Sequence, residues 1–229
     1  ISSAGDHVRA SVGAEPALVV ATPGAEPVAF GGYAAALLLD ADAMLRFDSL
    51  RAPEAALRRW FNAAALVRSA AQGGVVVTTA SPSPVEQALV RWDPTWFALY
   101  ELDERSQIGL PPAVRTAAIT GTEDDVQAFL AELNLPEGVR VTGPVPLDED
   151  FFAHQSVHAG VESGGEGDIS EPSPSGAEDA VPGDWRAILF FTYAQAPQVT
   201  HELRSVRAAL SALRRVGAVQ VRCDGLDVV

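Results

Sequence analysis

Residues 113–147, AVRTAAITGTEDDVQAFLAELNLPEGVRVTGPVPL, contain the pattern that decides the fold of the second half of the chain. The apolar run 113–120 predicts a strand, and Thr122 after it predicts the N-cap of a helix. Three acids follow Thr122 directly, where the positive end of the helix dipole favours negative charge. A second strand is expected at 139–142, where Gly143 stops it.

A second strand–helix–strand pattern follows at residues 187–193, 199–216 and 218–223. The resulting order, βαββαβ, predicts a ferredoxin-like, or split-βαβ, C-terminal domain over 113–229. Between the two patterns, residues 148–184 contain ten acids and no Arg, with frequent Gly, Ser and Pro. That composition predicts a disordered acidic insertion.

Apolar runs also alternate with helix signals in the first half of the chain. Runs at 18–21 and 34–39 do not alternate with polar residues, which predicts strands buried on both faces of a parallel sheet. The β-branched run 75–79 predicts a third strand. This pattern predicts the α/β class, with one domain at 1–92 and a helical linker at 93–112.

Composition excludes several kinds of site from these 229 residues. All 16 basic residues are Arg, so no P-loop lysine, Schiff-base lysine or lysine general base belongs to the chain. The single cysteine, Cys223, excludes an internal disulfide and a cysteine-rich zinc site, and a reducing cytoplasmic setting is expected. The start at Ile1 predicts a piece of a longer protein. The longest uncharged apolar stretch, 27–39, is shorter than the roughly 20 residues of a membrane span, so no membrane partner is expected.

Thr22 and Asp40 are candidate nucleotide-binding residues, because both follow predicted strands of an α/β sheet. The turn after Thr22 either presents backbone N–H groups to a phosphate or simply ends the strand. Asp40 and Asp42 either bind a metal ion or face solvent and cap the next element. His154 and His158 have the spacing of two zinc ligands on a helix, but a solvated pair fits the acidic insertion better.

Two groups of residues are candidates for DNA binding. Arg91, Trp92 and Trp96 combine a cation with two aromatic rings, which suits base stacking, a partner peptide or packing between the domains. Arg204, Arg207 and Arg214 lie near one face of the last predicted helix, where they either contact phosphates or balance the acidic insertion. Although the formal net charge is −14, residues 185–229 contain three acids and six Arg.

Six stretches, taken in order, resemble motifs of the PriA-type primosomal proteins, the replication-restart factors also called primosomal protein N′. They are ALVVATPGAEP at 17–27, LLLDADAML at 37–45, LRAPEAALRRW at 50–60, VVVTTASPSPVEQAL at 75–89, ELDERSQIGLPP at 101–112 and VTGPVP at 141–146. The resemblance covers nearly the whole chain except the acidic insertion. It implies that residues 1–92 are part of a RecA-like second helicase lobe, followed by the family's small C-terminal domain.

The chain departs from the family pattern in its motor motifs. Leu66 and Ser69 stand where the family has arginines that contact ATP phosphates, and Pro23 stands where it has Gln. A leucine cannot stabilise charge on a transferring phosphoryl group as a guanidinium does. The family's eight-cysteine zinc module is also not in this chain. The resemblance therefore points to a diverged, actinobacterial-type branch with degenerate helicase motifs.

The resemblance implies a part of a replication-restart protein that recognises stalled or branched forks and recruits partners, without helicase activity of its own. ATP and zinc are implied by the family only, and no cofactor is expected for this chain. The implied partners are forked or single-stranded DNA, single-stranded-DNA-binding protein and other primosome proteins, in the bacterial cytoplasm at the nucleoid. Two alternatives remain open. One is an ATP-dependent 3′–5′ DNA helicase with its catalytic lobe upstream, and the other is a small-molecule α/β protein with a site at Asp40 and Asp42.

Overall fold

The structure, a computed structural model, describes residues 8–39, 41–46, 49–147, 184–213 and 219–225. They belong to two compact units, the first ending at Tyr100 and the second beginning at Glu101. Both units contain helices and strands, which confirms the predicted mixed α/β class. The predicted insertion 148–184 lies, apart from Asp184, outside the described residues.

The first unit consists of two parallel strand pairs and a layer of helices. Its strands are β1 (Ser11–Val12), β2 (Val28–Ala29), β3 (Ala35–Leu38) and β4 (Val75–Thr78), and its helices are α1 (Ala41–Leu45), α2 (Ala52–Ala65), α3 (Pro84–Arg91) and the start of α4 (Pro94–Ile108). β1 pairs with β2, and β3 pairs with β4 across the connection that contains α1 and α2. A short 3-10 helix, Ala70–Gln72, precedes β4.

Local signals explain the helices of the first unit and the core beneath them. α3 begins where the Ser83 hydroxyl accepts a hydrogen bond from the Glu86 N–H at 3.2 Å, as its capping-box sequence predicts. The apolar sides of α2 and α3 pack with Phe97 around Trp60, which is almost completely buried. This packing anchors the helices against one side of the β3–β4 pair through Leu38.

Two predictions for the first unit are wrong. No strand forms at 18–21, where Leu18 is 87% exposed, because β1 and β2 pair with each other and leave this run in their connection. β3 is parallel to β4 as predicted, but it is not buried on both faces. Leu37, opposite Val77 in the register, is 63% exposed on the side of the pair that the described residues leave open.

The second unit has the predicted βαββαβ order and a four-stranded antiparallel sheet. Its elements after α4 are β5 (Arg115–Gly121), α5 (Glu123–Ala131), β6 (Arg140–Pro146), β7 (Trp185–Phe191), α6 (Ala196–Leu213) and β8 (Gln220–Cys223). The spatial order of the strands is β6-β7-β5-β8. Apolar side chains of β5 and β7 face α5 and α6, and this layer contains the largest buried residues of the unit, Phe129, Ile119, Leu189 and Phe191.

β6 differs from its prediction at Gly143, which does not end the strand. The pairing with β7 shifts between Thr142 and Val145 and then continues, so the glycine marks a bulge. Gly143 has a φ of +91°, and a Cβ there would lie 2.5 Å from the Arg186 carbonyl oxygen. Only glycine suits this left-handed position so close to the neighbouring strand.

Candidate nucleic-acid interface

Arg204 and Arg207 lie on the exposed side of α6, one turn apart. The opposite side of the helix is fixed by Leu203 and Val206, which are buried in the core of the second unit. The helical period therefore aims both guanidinium groups away from the core, as the sequence predicts. Arg214, the third arginine of the predicted group, lies outside the described residues.

An ion pair between Arg115 and Asp224 joins the start of β5 to the residue after β8. The Arg115 Nε donates to the Asp224 Oδ2 at 2.8 Å, a second nitrogen of the guanidinium contacts the same oxygen, and the Thr116 N–H donates to Oδ1 at 3.1 Å. This pair could not be predicted from the sequence, because its members are 109 residues apart and no local pattern links them. The pairing neutralises Arg115, so it adds less positive charge to the surface than the α6 arginines.

Cys223 lies close to this pair and to Arg204, and its thiol is not activated. Burial raises the pKa of the Cys223 thiol, and the nearby Asp224 carboxylate raises it further, whereas Arg115 and Arg204 oppose the shift. The net effect keeps the sulfur protonated at neutral pH. A nucleophilic cysteine requires the opposite shift, so the surroundings of Cys223 do not favour a thiolate.

The ion pair predicts an acid-sensitive second unit. Burial raises the pKa of Asp224, but the hydrogen bonds from Arg115 and Thr116 and the charge of Arg115 lower it more, and the net shift is downward. A carboxylate with a lowered folded-state pKa stabilises the fold above its unfolded-state pKa, and this contribution is lost as the pH falls through the folded-state value. Asp224→Asn is therefore expected to lower the urea midpoint at about pH 7 and to reduce its decline towards about pH 3.

Urea unfolding at both pH values checks this expectation, with the exposed Glu137→Gln as the control for the loss of one carboxylate. The urea midpoint of the control should fall with decreasing pH as steeply as that of the wild type. An Asp224→Asn variant whose midpoint falls with acid as steeply as that of the wild type contradicts the assignment.

The structure divides the predicted aromatic group into two parts. The Arg91 guanidinium carbon lies 5.2 Å from the ring centroid of Trp96, which in turn stacks on Tyr100 with centroids 5.8 Å apart. Trp92 turns away to α2, where it meets Phe61 edge to face with centroids 4.7 Å apart. Trp96 is half-buried against the core of the first unit, whereas Trp92 is 56% exposed.

The N–H groups of the turn after Thr22 donate to acceptors within the turn itself. The Ala25 N–H donates to the Thr22 carbonyl at 2.9 Å, which closes the turn. The Gly24 N–H donates to both carboxylate oxygens of Glu26, at 2.9 and 3.1 Å. A negative charge therefore occupies the place where a nucleotide phosphate would need a donor.

Asp42, the acidic candidate of the first unit that the structure describes, is also hydrogen-bonded within the protein. Both carboxylate oxygens of Asp42 accept hydrogen bonds from Ser81, at 2.8 Å from its N–H and 2.6 Å from its hydroxyl. These bonds lower the pKa of Asp42 and tie α1 to the loop that follows β4. Asp40, His154 and His158 lie outside the described residues, and within the described ranges no group of three metal-ligating side chains occurs.

Leu66, Arg68 and Ser69 do not fit the ATP that the family resemblance implies. Leu66 is the C-cap of α2, and the Ser69 hydroxyl is hydrogen-bonded to the Gln72 side chain at 3.1 Å. The neighbouring Arg68 directs its Nε to the carbonyl oxygens of Gly31 and Gly32, both at 3.1 Å. The segment is thus used for packing and caps, and no phosphate-binding pair of guanidinium groups is formed by these residues.

Comparison with protein families shows to which family the chain belongs. The model of the primosomal protein N C-terminal domain matches residues 106–226, more than half of the 229 residues. The chain belongs to this family. The family match confirms the resemblance carried by the sequence motifs, and its range contains the four-stranded sheet with α5 and α6.

Individual relatives agree with the primosomal family assignment. A protein named probable replication restart protein PriA from Mycobacterium leprae (strain TN) is 53% identical over 150 residues, which are 65% of this chain and 23% of that protein. A protein of the same name from Mycobacterium tuberculosis (strain CDC 1551 / Oshkosh) is 52% identical over 152 residues, 64% of this chain and 23% of the relative. The matched part thus spans about a quarter of the relatives' length.

The family match separates the two groups of candidate DNA-binding residues. Arg204 and Arg207 lie inside the matched range of the primosomal protein N C-terminal domain, whereas Arg91, Trp92 and Trp96 precede it.

In the part of the chain that the structure describes, no helix has the length and apolar character needed to cross a membrane.

Proposed function

We propose that the chain is the DNA-binding, partner-recruiting portion of a replication-restart protein, acting at stalled or branched replication forks. The observation that carries this proposal is the match of the primosomal C-terminal family model to residues 106–226. The mycobacterial relatives, which are named replication restart proteins, support it with identities of 52–53%. Single-stranded-DNA-binding protein and other primosome proteins are the proposed partners, and the bacterial nucleoid is the proposed location.

DNA contact is proposed for the exposed side of α6, through Arg204 and Arg207. A phosphate backbone is recognised chiefly by Arg and Lys, and this chain has no Lys. The region 185–229 is net positive, with six Arg against three acids, although the whole chain is acidic. Two arginines on one helix face position a backbone without reading its sequence, which suits a protein that binds forks by their shape. Arg214 is proposed to extend this face.

A non-motor role is proposed for the first unit. The Leu66 and Ser69 positions lack the arginine side chains of an active motor, and Glu26 occupies the N–H group of the turn after Thr22. The alternative is a 3′–5′ helicase whose catalytic residues belong mainly to an upstream lobe, with the first unit as part of the motor. DNA-dependent ATP hydrolysis by the purified full-length protein would support that alternative and overturn the non-motor role.

We also propose a specific fold for each of the two units. The strand order β6-β7-β5-β8, with a helix after β5 and another after β7, supports a ferredoxin-like C-terminal domain. The parallel β3–β4 pair with α2 in its connection supports a partial RecA-like second lobe. Parallel sheets are covered on both faces in known folds, and the exposed side chains Leu37 and Val77 support a further layer over this face of the pair.

The experiment that tests the proposal is a salt titration of binding to a synthetic DNA fork. The Arg204→Ala, Arg207→Ala double variant should bind roughly tenfold more weakly at moderate salt. The slope of log affinity against log salt should fall by about 0.9 for each phosphate that the variant leaves unneutralised. Arg46→Ala, which removes an exposed arginine from the first unit, is the control and should leave the slope unchanged. A double variant with wild-type affinity and slope would remove α6 from the proposed interface.

A further inference from the structure

Trp92 occupies a backbone position that favours glycine. It is the C-cap of α3 with a φ of 57° and a ψ of 42°, in the left-handed region that strains a bulky side chain. Among the described residues, Asp224 is the other non-glycine residue with a positive φ, and its carboxylate is used in the ion pair with Arg115. The cap hydrogen bonds at Trp92, such as its N–H to the Leu89 carbonyl at 3.1 Å, involve the backbone alone. Glycine would make them with less strain.

Core packing does not explain why residue 92 is a tryptophan either. The residue is 56% exposed, although tryptophan is among the residues that are on average most buried. The edge-to-face contact with Phe61 fixes the orientation of the indole without covering it. A large, rigid and exposed aromatic surface is thus held in place at a strained position, which is the pattern expected where the side chain contacts a ligand.

A fixed cation precedes this aromatic surface in the chain. The exposed Arg91 guanidinium is held over the Trp96 ring and donates a hydrogen bond to the Gln87 Oε1 at 3.1 Å. An exposed cation and an exposed aromatic face on two consecutive residues match single-stranded nucleic acid, which offers unstacked bases and phosphates together. Duplex DNA keeps its base faces stacked inside the helix and does not offer them to an indole.

We propose that Trp92 is a stacking platform for an unpaired base of single-stranded DNA, with Arg91 contacting the adjacent phosphate. This inference rests on the proposed DNA-binding function and places a second contact outside the primosomal C-terminal family match. Base stacking on tryptophan tolerates any sequence, because every base has an aromatic face. The contact would therefore direct the first unit to exposed single strands at a fork without sequence preference.

Binding of the full 229-residue chain to a labelled oligothymidylate of about 16 nucleotides tests the proposal, with fluorescence anisotropy as the readout. Trp92→Gly removes the ring and also relieves the left-handed strain, and a urea midpoint equal to that of the wild type would show that the loss of the Phe61 contact leaves the fold intact. It should bind about 5- to 100-fold more weakly, with an unchanged salt slope. Trp92→Phe keeps an aromatic face and should retain most of the affinity, and Val90→Ala, at a neighbouring exposed apolar residue, should bind as the wild type does.

The outcomes distinguish this inference from the function on which it rests. If the wild type binds a DNA fork but Trp92→Gly binds the oligothymidylate with wild-type affinity, the stacking platform is wrong and the surface serves a protein partner or packing instead. An equal loss of affinity for a duplex of the same length also overturns it, because duplex bases are not available for stacking. If the wild type binds neither the fork nor the single strand, the proposed function itself fails.

Discussion

Leu189→Ala should destabilise the second unit by about 3–5 kcal/mol. Leu189 is fully buried (0% exposed) at the centre of β7, opposite Ala117 of β5 and Val141 of β6. The variant removes apolar atoms from the core and leaves a cavity. The neighbouring strands on both sides hold β7 in register, so the structure can collapse only partly into that cavity. Hydrogen exchange of the β5 and β7 amides over a urea series measures the loss of stability.

Leu102→Ala is the matched control, because it removes the same atoms from a side chain of the second unit that is 43% exposed. It should change the stability by less than about 1 kcal/mol, since alanine also favours the helix in which it lies. Equal losses of stability in the two variants would contradict the assignment of β7 to the centre of the core.

The elements of the second unit could be predicted because their signals are local. The Thr122 hydroxyl accepts a hydrogen bond from the Asp125 N–H at 3.3 Å, so the predicted N-cap of α5 is confirmed by its own side chain. β7 and α6 likewise follow from apolar periodicity within one segment. Caps and periodicity depend on residues only a few positions apart, which a single sequence displays directly.

Features that depend on distant partners could not be predicted. The apolar run 18–21 has strand propensity, but its neighbours β1 and β2 pair with each other, and the run itself makes a single bridge at Ala21 and no strand. The Arg115–Asp224 pair forms across 109 residues, through the antiparallel pairing of β5 with β8. Gly143 is a stop signal in the sequence, yet the neighbouring β7 continues the pairing beyond it as a bulge.

The candidate interface was predictable only where the helical period continues. Arg204 and Arg207 are both exposed because α6 is regular through both positions. Trp92 departs from the direction expected after Arg91, because its left-handed backbone ends α3 at that residue. The side chain therefore meets Phe61 of α2, while Trp96 begins a new periodicity in α4 and stays with Arg91. The positive φ of Trp92 therefore separates its side chain from those of Arg91 and Trp96, although the three residues are close together in the sequence.

Gly74→Ala should be the most damaging small substitution in the first unit, with a loss of more than about 3 kcal/mol of stability. A Cβ at this position would lie 1.8 Å from the Arg68 carbonyl oxygen and 2.6 Å from its carbonyl carbon. That backbone cannot move aside easily, because the Arg68 N–H donates to the Tyr33 carbonyl at 2.9 Å and its side chain binds the Gly31 carbonyl. Relief of the clash would have to displace the start of β4 from β3. Hydrogen exchange of the β3 and β4 amides measures this displacement.

Gly73→Ala, one residue earlier, separates steric overlap from backbone strain. Gly73 has a φ of +80°, but nothing lies within 4 Å of a Cβ built on it. Its replacement should therefore cost only the left-handed strain of alanine, about 1–2 kcal/mol, and leave the β3–β4 pairing in place. The difference between the two variants isolates the contact of residue 74 with the Arg68 backbone. A Gly74→Ala variant that is no less stable than Gly73→Ala would show that the 66–69 segment does not pack against the start of β4.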